Sequence, residues 1–466
     1  MVVSAHPISS KIGTDILKKG GNAADATVAV HFALAVVYPS AGNIGGGGFF
    51  VYRTNKGEYS SLDFREKAPL SSSWNMYLDS INKVIDGLST DSHLAVGIPG
   101  SVDGMVNIHD KYGKLSWEEL IQPSIDLASN GFVLTKLEAD KLNNFNNGKG
   151  LINDNTEYYK LKYKEGDSLS LPNLAKTLIK IRDYKRSGFY SGEVALMLID
   201  QMKVNRGIIN QQDLDDYKSI WRKPIISTYK NFKVISMGPP SSGGILLSQM
   251  LKMAEKFPIR DYGFHNKNSI HLMTEIEKFS FADRAEHFGD PDFWKVPENQ
   301  LLDSAYLMER LKYISLDSVI PSSKVFAGKF NNLESNETTH FSIVDSKGNA
   351  SAVTTTLNGS FGSGIVVSGA GFLLNNEMDD FSIQPGYPNI YGLVGGEANS
   401  IKPNKRMLSS MTPTIIEKDD KLFMVLGTPG GSTIITAVFQ TIINVIDHQM
   451  GIQDAVNAPR FHHQWL

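Results

Sequence analysis

The spacing of apolar positions changes several times along the chain, and each change predicts a different element. Ile12, Ile16 and Leu17 share one helical face after Ser9 and Ser10, which are suited to cap it, and Gly20 and Gly21 stop that helix. Asn22 then caps an almost continuous apolar run, Ala23 to Val37, that Pro39 ends. At 15 residues, broken by Asp25, Thr27 and His31, the run predicts a buried core helix rather than a membrane span, which needs about 20. Next, "NIGGGGFFVYR" feeds four glycines into an aromatic strand, predicting backbone packed too closely for side chains. No Gly-Lys-Ser/Thr follows, so a phosphate loop is not supported.

Alternation in "GEYSSLDFR" predicts a strand that delivers Arg65 to its end. From about 116 to 212 the period is helical, as in "WEELIQPSIDLASNG" and "NLAKTLIKIRDY". "YKNFKVISMGPPSSGGILLSQMLKMAEKF" reads strand, turn, helix, and a further helix is predicted around "HLMTEIEKFSFADRAEHF". Residues 321–336 turn polar and irregular, predicting an exposed loop within reach of cleavage. Strands and glycine turns dominate after it.

Composition narrows the chemistry. In 466 residues, 41% are hydrophobic and 20% charged, with a formal net charge of −3, so neither disorder nor nucleic acid or anionic membrane binding is favoured. Cysteine is absent, which removes disulfides, thiolate catalysis and Cys-ligated zinc and leaves the compartment open. Any nucleophile is therefore an oxygen or a nitrogen. The chain opens without the charged and apolar regions of a signal peptide.

Strand-like runs at 341–344 and 350–353 flank the turn "DSKGN". Pairing Asp345 with Ala350 would bring Thr356 opposite Thr338 or Thr339, within one residue of register, so that threonines share one end of a hairpin. Hydroxyls where a loop meets a strand suit an N-terminal nucleophile, whose freed α-amine is the base for its own side chain. Thr is equally an ordinary strand residue. "LLNNEMDDFS" gathers acceptors for an ammonium group, or forms a solvated acidic turn. "LGTPGGSTIITAV" ends a strand at Gly430 and Gly431 and begins a helix, offering amide N–H groups to an oxyanion or making a plain turn.

Together with "GGNAADATVAV", "DFREKAP", "GIPGSVDG", "PPSSGG", "GDPDF", "ESNETTHFSIVD", "TTTLNGSFGSG", "PNIYGLVGGEANSIKPNKRMLSSMTPT" and "NAPRFHHQWL", these segments resemble the γ-glutamyltransferases over nearly the whole chain. The resemblance implies an N-terminal-nucleophile hydrolase fold, an αββα sandwich, made as one precursor that cuts itself between Glu337 and Thr338. Residues 1–337 and 338–466 would be the large and small subunits of one structural domain. It implies Thr338 as nucleophile, Thr356 as its hydrogen-bonding activator, and the N–H groups of Gly430 and Gly431 as oxyanion hole. Arg65 and Ser409, with the backbone of Ser410, would hold the substrate α-carboxylate. Asn358, Glu377 and Asp380 would hold the α-ammonium, and Tyr391 would lie on a lid loop. Glutathione and other γ-glutamyl compounds would be donors, and water, amino acids or dipeptides acceptors, with no cofactor and a periplasmic or secreted location. Family members are expected to extend beyond both Met1 and Leu466.

Three alternatives remain from the residues. A glutaryl-type amidase would keep Thr338 and the oxyanion hole but not the ammonium-binding carboxylates; a non-catalytic binding protein would lack the nucleophile or its partners. Metal catalysis would need more than His462 and His463, adjacent and pointing opposite ways on a strand. Taken alone, Arg65 could be a surface partner of Asp63 or Glu66.

Overall fold

In the computed structural model, residues 1–147, 162–328, 339–384 and 386–466 are described. Twelve strands occur there: β1 (Val2–Val3), β2 (Gly47–Arg53), β3 (Tyr59–Asp63), β4 (Phe132–Val133), β5 (Ser168–Leu169), β6 (Ile220–Arg222), β7 (Ile225–Tyr229), β8 (Phe232–Ser236), β9 (Thr339–Val344), β10 (Ala350–Thr356), β11 (Thr414–Lys418) and β12 (Lys421–Leu426). One antiparallel sheet has the order β1-β9-β10-β2-β3-β6, a second β12-β11-β8-β7, and β4 pairs with β5 alone.

Successive residues of a strand face opposite sides of its sheet, and the central strands are apolar on both sides. Phe49 and Val51 of β2, Ala350 and Ala352 of β10, Ile235 of β8 and Ile415 of β11 meet between the two sheets. Phe50 and Tyr52, their neighbours on β2, turn outward to the helical layer of Ala23–Val37 and Ser101–Tyr112, where Tyr52 meets Tyr112. Across the molecule, Val234 and Ile416 turn outward to Gly243–Ala254, Lys267–His287 and Thr433–Ile446. Three apolar layers thus separate four layers of structure, α, β, β, α, and strands buried on both faces read as continuous apolar runs.

The core helix Ala23–Val37 has its predicted cap: Asn22 Oδ1 accepts from the N–H groups of Ala24 (2.8 Å) and Asp25 (3.0 Å), while Asp25 bonds back to Asn22 N. The first helix departs from expectation. It spans Pro7–Lys18, capped by His6, whose ring accepts from Ile8 N, with Pro7 in the first turn; Ser9 and Ser10 lie inside it and share hydrogen bonds with Ser4. The hairpin register falls within the one-residue range expected, with Ala350 facing Val344. Thr355 therefore faces Thr339. Of the expected exposed loop at 321–336, residues 329–336 lie outside the described residues; Val325 is buried among Phe279 and Ala282.

Candidate active site

Strand ends converge at one edge of the sandwich. In the first sheet Thr356 faces Gly47, and Phe49 faces Asp63; in the second, Thr414 faces both Leu426 and Ser236. The segments leaving these ends carry every predicted site residue that is described. Glu337 and Thr338, the predicted cleavage site and nucleophile, lie outside the described residues.

The glycine run brings the parts together. A Cβ at Gly46 would sit 2.0 Å from Thr356 O, so only glycine allows this approach. Asn43 then spans the gap: its Nδ2 donates to Thr356 O (2.8 Å) and Thr355 Oγ1 (3.1 Å), and its Oδ1 accepts from Gly46 N (3.0 Å). Thr356 is buried, and its Oγ1 accepts from Asn358 N at 2.7 Å. Asn358 Nδ2 donates to Asn376 O (3.0 Å), whereas its buried Oδ1 has no partner among the described residues.

The acidic turn Glu377–Asp380 is buried, not solvated. Asn375 explains its position, since Nδ2 donates to Gly45 O and Gly97 O (2.8 Å each) while Oδ1 accepts from Gly97 N (2.9 Å) and Glu377 N (3.0 Å). Arg65, two residues past β3, is likewise fully buried, which removes the surface-pair alternative. Its main chain is fixed by Tyr217 Oη, which donates to Arg65 O (2.8 Å), and by Asp63 Oδ1, which accepts from Arg65 N (3.0 Å). Its guanidinium meets Glu377 at 2.5 Å, Asp380, and Glu66 at 3.4 Å, and donates to Met407 O (3.3 Å) and Leu408 O (3.2 Å).

One guanidinium thus faces three buried carboxylates. Burial disfavours charge on Arg65, but Glu377, Asp380 and Glu66 more than offset this and hold it above its ordinary pKa. Burial pushes the carboxyl of Glu66 well up, and Glu377 pushes it further than Arg65 can restore. Glu377 and Asp380 are raised by burial too, against the pull of Arg65. Glu66 Oε1 has no hydrogen-bond partner among the described residues. The sequence reading gave Asn43 no role and offered Glu66 as a surface partner of Arg65, although both lie inside the motifs "NIGGGGFF" and "DFREKAP".

From the second sheet, Ser409 N donates to Pro240 O (2.8 Å), and Ser409 Oγ accepts from Met411 N (3.2 Å). Ser410 Oγ is buried without a partner among the described residues. Beyond β12, Gly430 and Gly431 have φ of 130° and 60°, and their carbonyls accept from Thr433 N and Ile434 N at 3.1 Å as the helix Thr433–Ile446 begins. Tyr391 is half-buried against that helical layer, and its carbonyl accepts from Gln464. The loop carrying it is tied to the acidic turn, since Ile390 N donates to Asp379 Oδ2 (3.1 Å) and Asn389 Nδ2 to Asp380 Oδ1 (3.3 Å). His462 and His463 are not on a strand: His462 bonds to Thr436 and Gln464, and His463 Nδ1 accepts from Trp465 N. Among the described residues no group of three acidic or histidine side chains is arranged to hold a metal ion, and no helix is long and apolar enough to cross a membrane.

Two antiparallel sheets between helical layers, with hydroxyls and backbone amides converging at one edge, define the N-terminal-nucleophile hydrolase fold. The chain belongs to the gamma-glutamyltranspeptidase family, whose model matches residues 9–466. It is 46% identical over 470 residues to a glutathione hydrolase proenzyme of Escherichia coli (strain K12), covering 100% of this chain and 81% of that protein. The crystal structure of Helicobacter pylori gamma-glutamyltranspeptidase superposes with a TM-score of 0.67 at 42% identity, over 70% of this chain and 95% of that one. A cephalosporin acylase from Bacillus halodurans superposes at 0.86 with 25% identity, over 98% of this chain and 82% of the other.

Proposed function

We propose that this chain is a γ-glutamyl acyltransferase and glutathione hydrolase whose precursor cuts itself between Glu337 and Thr338. The observation that carries the reading is the unbalanced charge at the site among the described residues: one guanidinium against three fully buried carboxylates, beside Asn358 Oδ1 and Ser410 Oγ, which have no partner there. An amino-acid head group supplies what is missing. Its ammonium would bind Glu377, Asp380 and Asn358 Oδ1, and its carboxylate would take the Arg65 fork with Ser409 and Ser410.

In processing, Thr338 Oγ attacks the Glu337 carbonyl carbon, the peptide nitrogen leaves as the Thr338 α-amine, and water opens the resulting ester. This gives segments 1–337 and 338–466 of one structural domain. In turnover the α-amine accepts the Thr338 hydroxyl proton as Oγ attacks the donor's γ-carbonyl; an α-amine pKa of about 7.7 to 8 suits this near neutral pH. Thr356 would hydrogen-bond Oγ, and the N–H groups of Gly430 and Gly431 would face the oxyanion. The leaving amine takes the proton. Water or the amine of an amino acid or dipeptide then attacks the acyl-enzyme, with Tyr391 on the loop covering the pocket. The same reading puts the enzyme in the periplasm or outside the cell.

Turnover of a γ-glutamyl anilide and its glutaryl analogue tests the assignment. Glutaryl lacks the ammonium, so the carboxylates would lose solvent without gaining a partner, and kcat/KM should differ by more than about a hundredfold. Equal turnover would favour the acylase reading, for which the Bacillus halodurans superposition is the supporting observation. Thr338→Ala should leave one uncut chain by intact mass, and Thr339→Ala should still allow cutting.

A further inference from the structure

The motif "EANSIKPNKRMLSS" contains a buried cation that the chemistry above does not use. Lys405 is 1% exposed, and its Nζ donates to Ala398 O (2.5 Å) and Ser400 O (2.9 Å), the carbonyls on either side of Asn399. No carboxylate lies within ion-pair distance of it among the described residues. Burial, reinforced by Lys402 and opposed by Asp290 and Glu397, pushes its pKa down to about 7. An ammonium held only by carbonyl dipoles is a costly way to fill space, which an apolar side chain would fill better. What an apolar side chain could not do is fix the direction of two peptide units at once.

Those two units flank Asn399, which is fully buried. Asn399 Nδ2 donates to Asp380 O (2.7 Å), and its Oδ1 accepts from Leu408 N (3.0 Å). Leu408 O and its neighbour Met407 O are the carbonyls that receive the Arg65 guanidinium. Asn399 is therefore a single side chain tying the turn that carries Asp380 to the segment that seats Arg65. The backbone around Lys405 grips the other side, since Ala68 N donates to Lys405 O (2.8 Å) and Asn404 N to Ala68 O (2.9 Å), three residues past Arg65.

We propose that Lys405 and Asn399 are positioning residues that set the separation between the Asp380 carboxylate and the Arg65 guanidinium, and with it the preference for donors bearing an α-ammonium beside an α-carboxylate. The proposal rests on reading the site as a receptor for the γ-glutamyl head group. Lys405→Met keeps the stem and removes the donors. Asn399→Asp keeps the acceptor for Leu408 N and sets a carboxylate oxygen against Asp380 O.

The test measures kcat and KM for the γ-glutamyl and glutaryl anilides on processed enzyme, with rates normalised to titrated active sites. A displaced clamp should raise KM for the γ-glutamyl anilide about tenfold or more while kcat stays within about threefold. The glutaryl rate should hold, so the ratio between substrates should fall by the factor lost. A merely structural role would lower the processed fraction or depress both substrates equally, and either result with an unchanged ratio overturns the proposal. Should Lys405→Met give no soluble enzyme, the ratio measured for Asn399→Asp decides in the same way. Failure of the wild-type enzyme to distinguish the two anilides would instead overturn the γ-glutamyl reading itself.

Discussion

Asp63 and Arg65 leave the same strand two residues apart, yet they anchor charge clusters of different balance. Around Asp63, Oδ2 accepts from Arg222 Nε (2.8 Å) and Oδ1 lies 3.3 Å from Arg406 Nε. Arg222 also forks onto Asp292, with bonds of 3.1 and 2.7 Å, and Asp290 accepts from Arg406 N (2.8 Å) and Asp292 N (3.0 Å). Every carboxylate there has an N–H, and two guanidiniums serve three acids. Around Arg65, among the described residues, one guanidinium serves three acids, and Glu66 Oε1, Asn358 Oδ1 and Ser410 Oγ have no hydrogen-bond partner. Unmade hydrogen bonds in a buried site cost about 1 to 3 kcal/mol each. In the first cluster every acid is paired, with Arg406 Nε, in ion-pair contact with Asp63, the atom short of a hydrogen bond among the described residues, and Asp63 holds the Arg65 main chain; the second, with more acid than base, is left open in the way a receptor for a charged ligand must be.

This contrast predicts that equivalent substitutions fail differently. The largest effect is expected from Asp63→Asn, which removes the buried anion between the buried Arg406 and the half-buried Arg222 and should lower unfolding free energy by about 3 to 5 kcal/mol, seen as an earlier midpoint in urea. An unchanged midpoint would make both clusters alike. Arg65→Lys keeps the charge and loses the planar fork, so it should cost about 2 to 5 kcal/mol in kcat/KM on a γ-glutamyl anilide, with stability changed by less than about 1 kcal/mol. Near-normal kcat/KM in that variant would assign Arg65 to the fold.

How far these clusters were legible in the sequence follows from the range of their contacts. The glycine run, the aromatic strand after it and the core helix could be read because both faces are buried and the capping is local, as at Asn22. Ser9 and Ser10 misled because serine caps helices from just outside them, whereas here His6 and Pro7 took that place. The acidic turn invited a solvated reading because its partner, Arg65, lies 315 residues away from Asp380. Asp63 gave no sign of its cluster, since Arg222 is 159 residues further on and "PNKRM" looks like an ordinary polar turn. Lys405 and Asn399 escaped for the same reason: a buried lysine among carbonyls has no local signature.

The smallest effect is also the one that reads the charge imbalance most directly. Burial raises Glu66, Glu377 and Asp380 above the ordinary carboxylate range, so the folded, ligand-free protein holds more protons than the unfolded chain between about pH 4 and their raised values. Its stability from these groups should rise as pH falls into that window and decline as pH climbs out of it, opposite to a carboxylate whose pKa is lowered by a partner. A ligand ammonium supplies the missing positive charge and lowers those pKa values. Binding of free glutamate to the processed enzyme should therefore release protons between about pH 4 and the raised values of these groups, and affinity should weaken toward acid by the same linkage. Titration calorimetry in two buffers of different ionisation enthalpy measures the release, expected to be about one proton or less per site. Asp380→Asn, which removes one acid from the excess, should reduce it. Glutamate binding with no proton exchange across that range would mean that the carboxylates are already fully ionised, and the Arg65 cluster would then be as closed as its neighbour around Asp63.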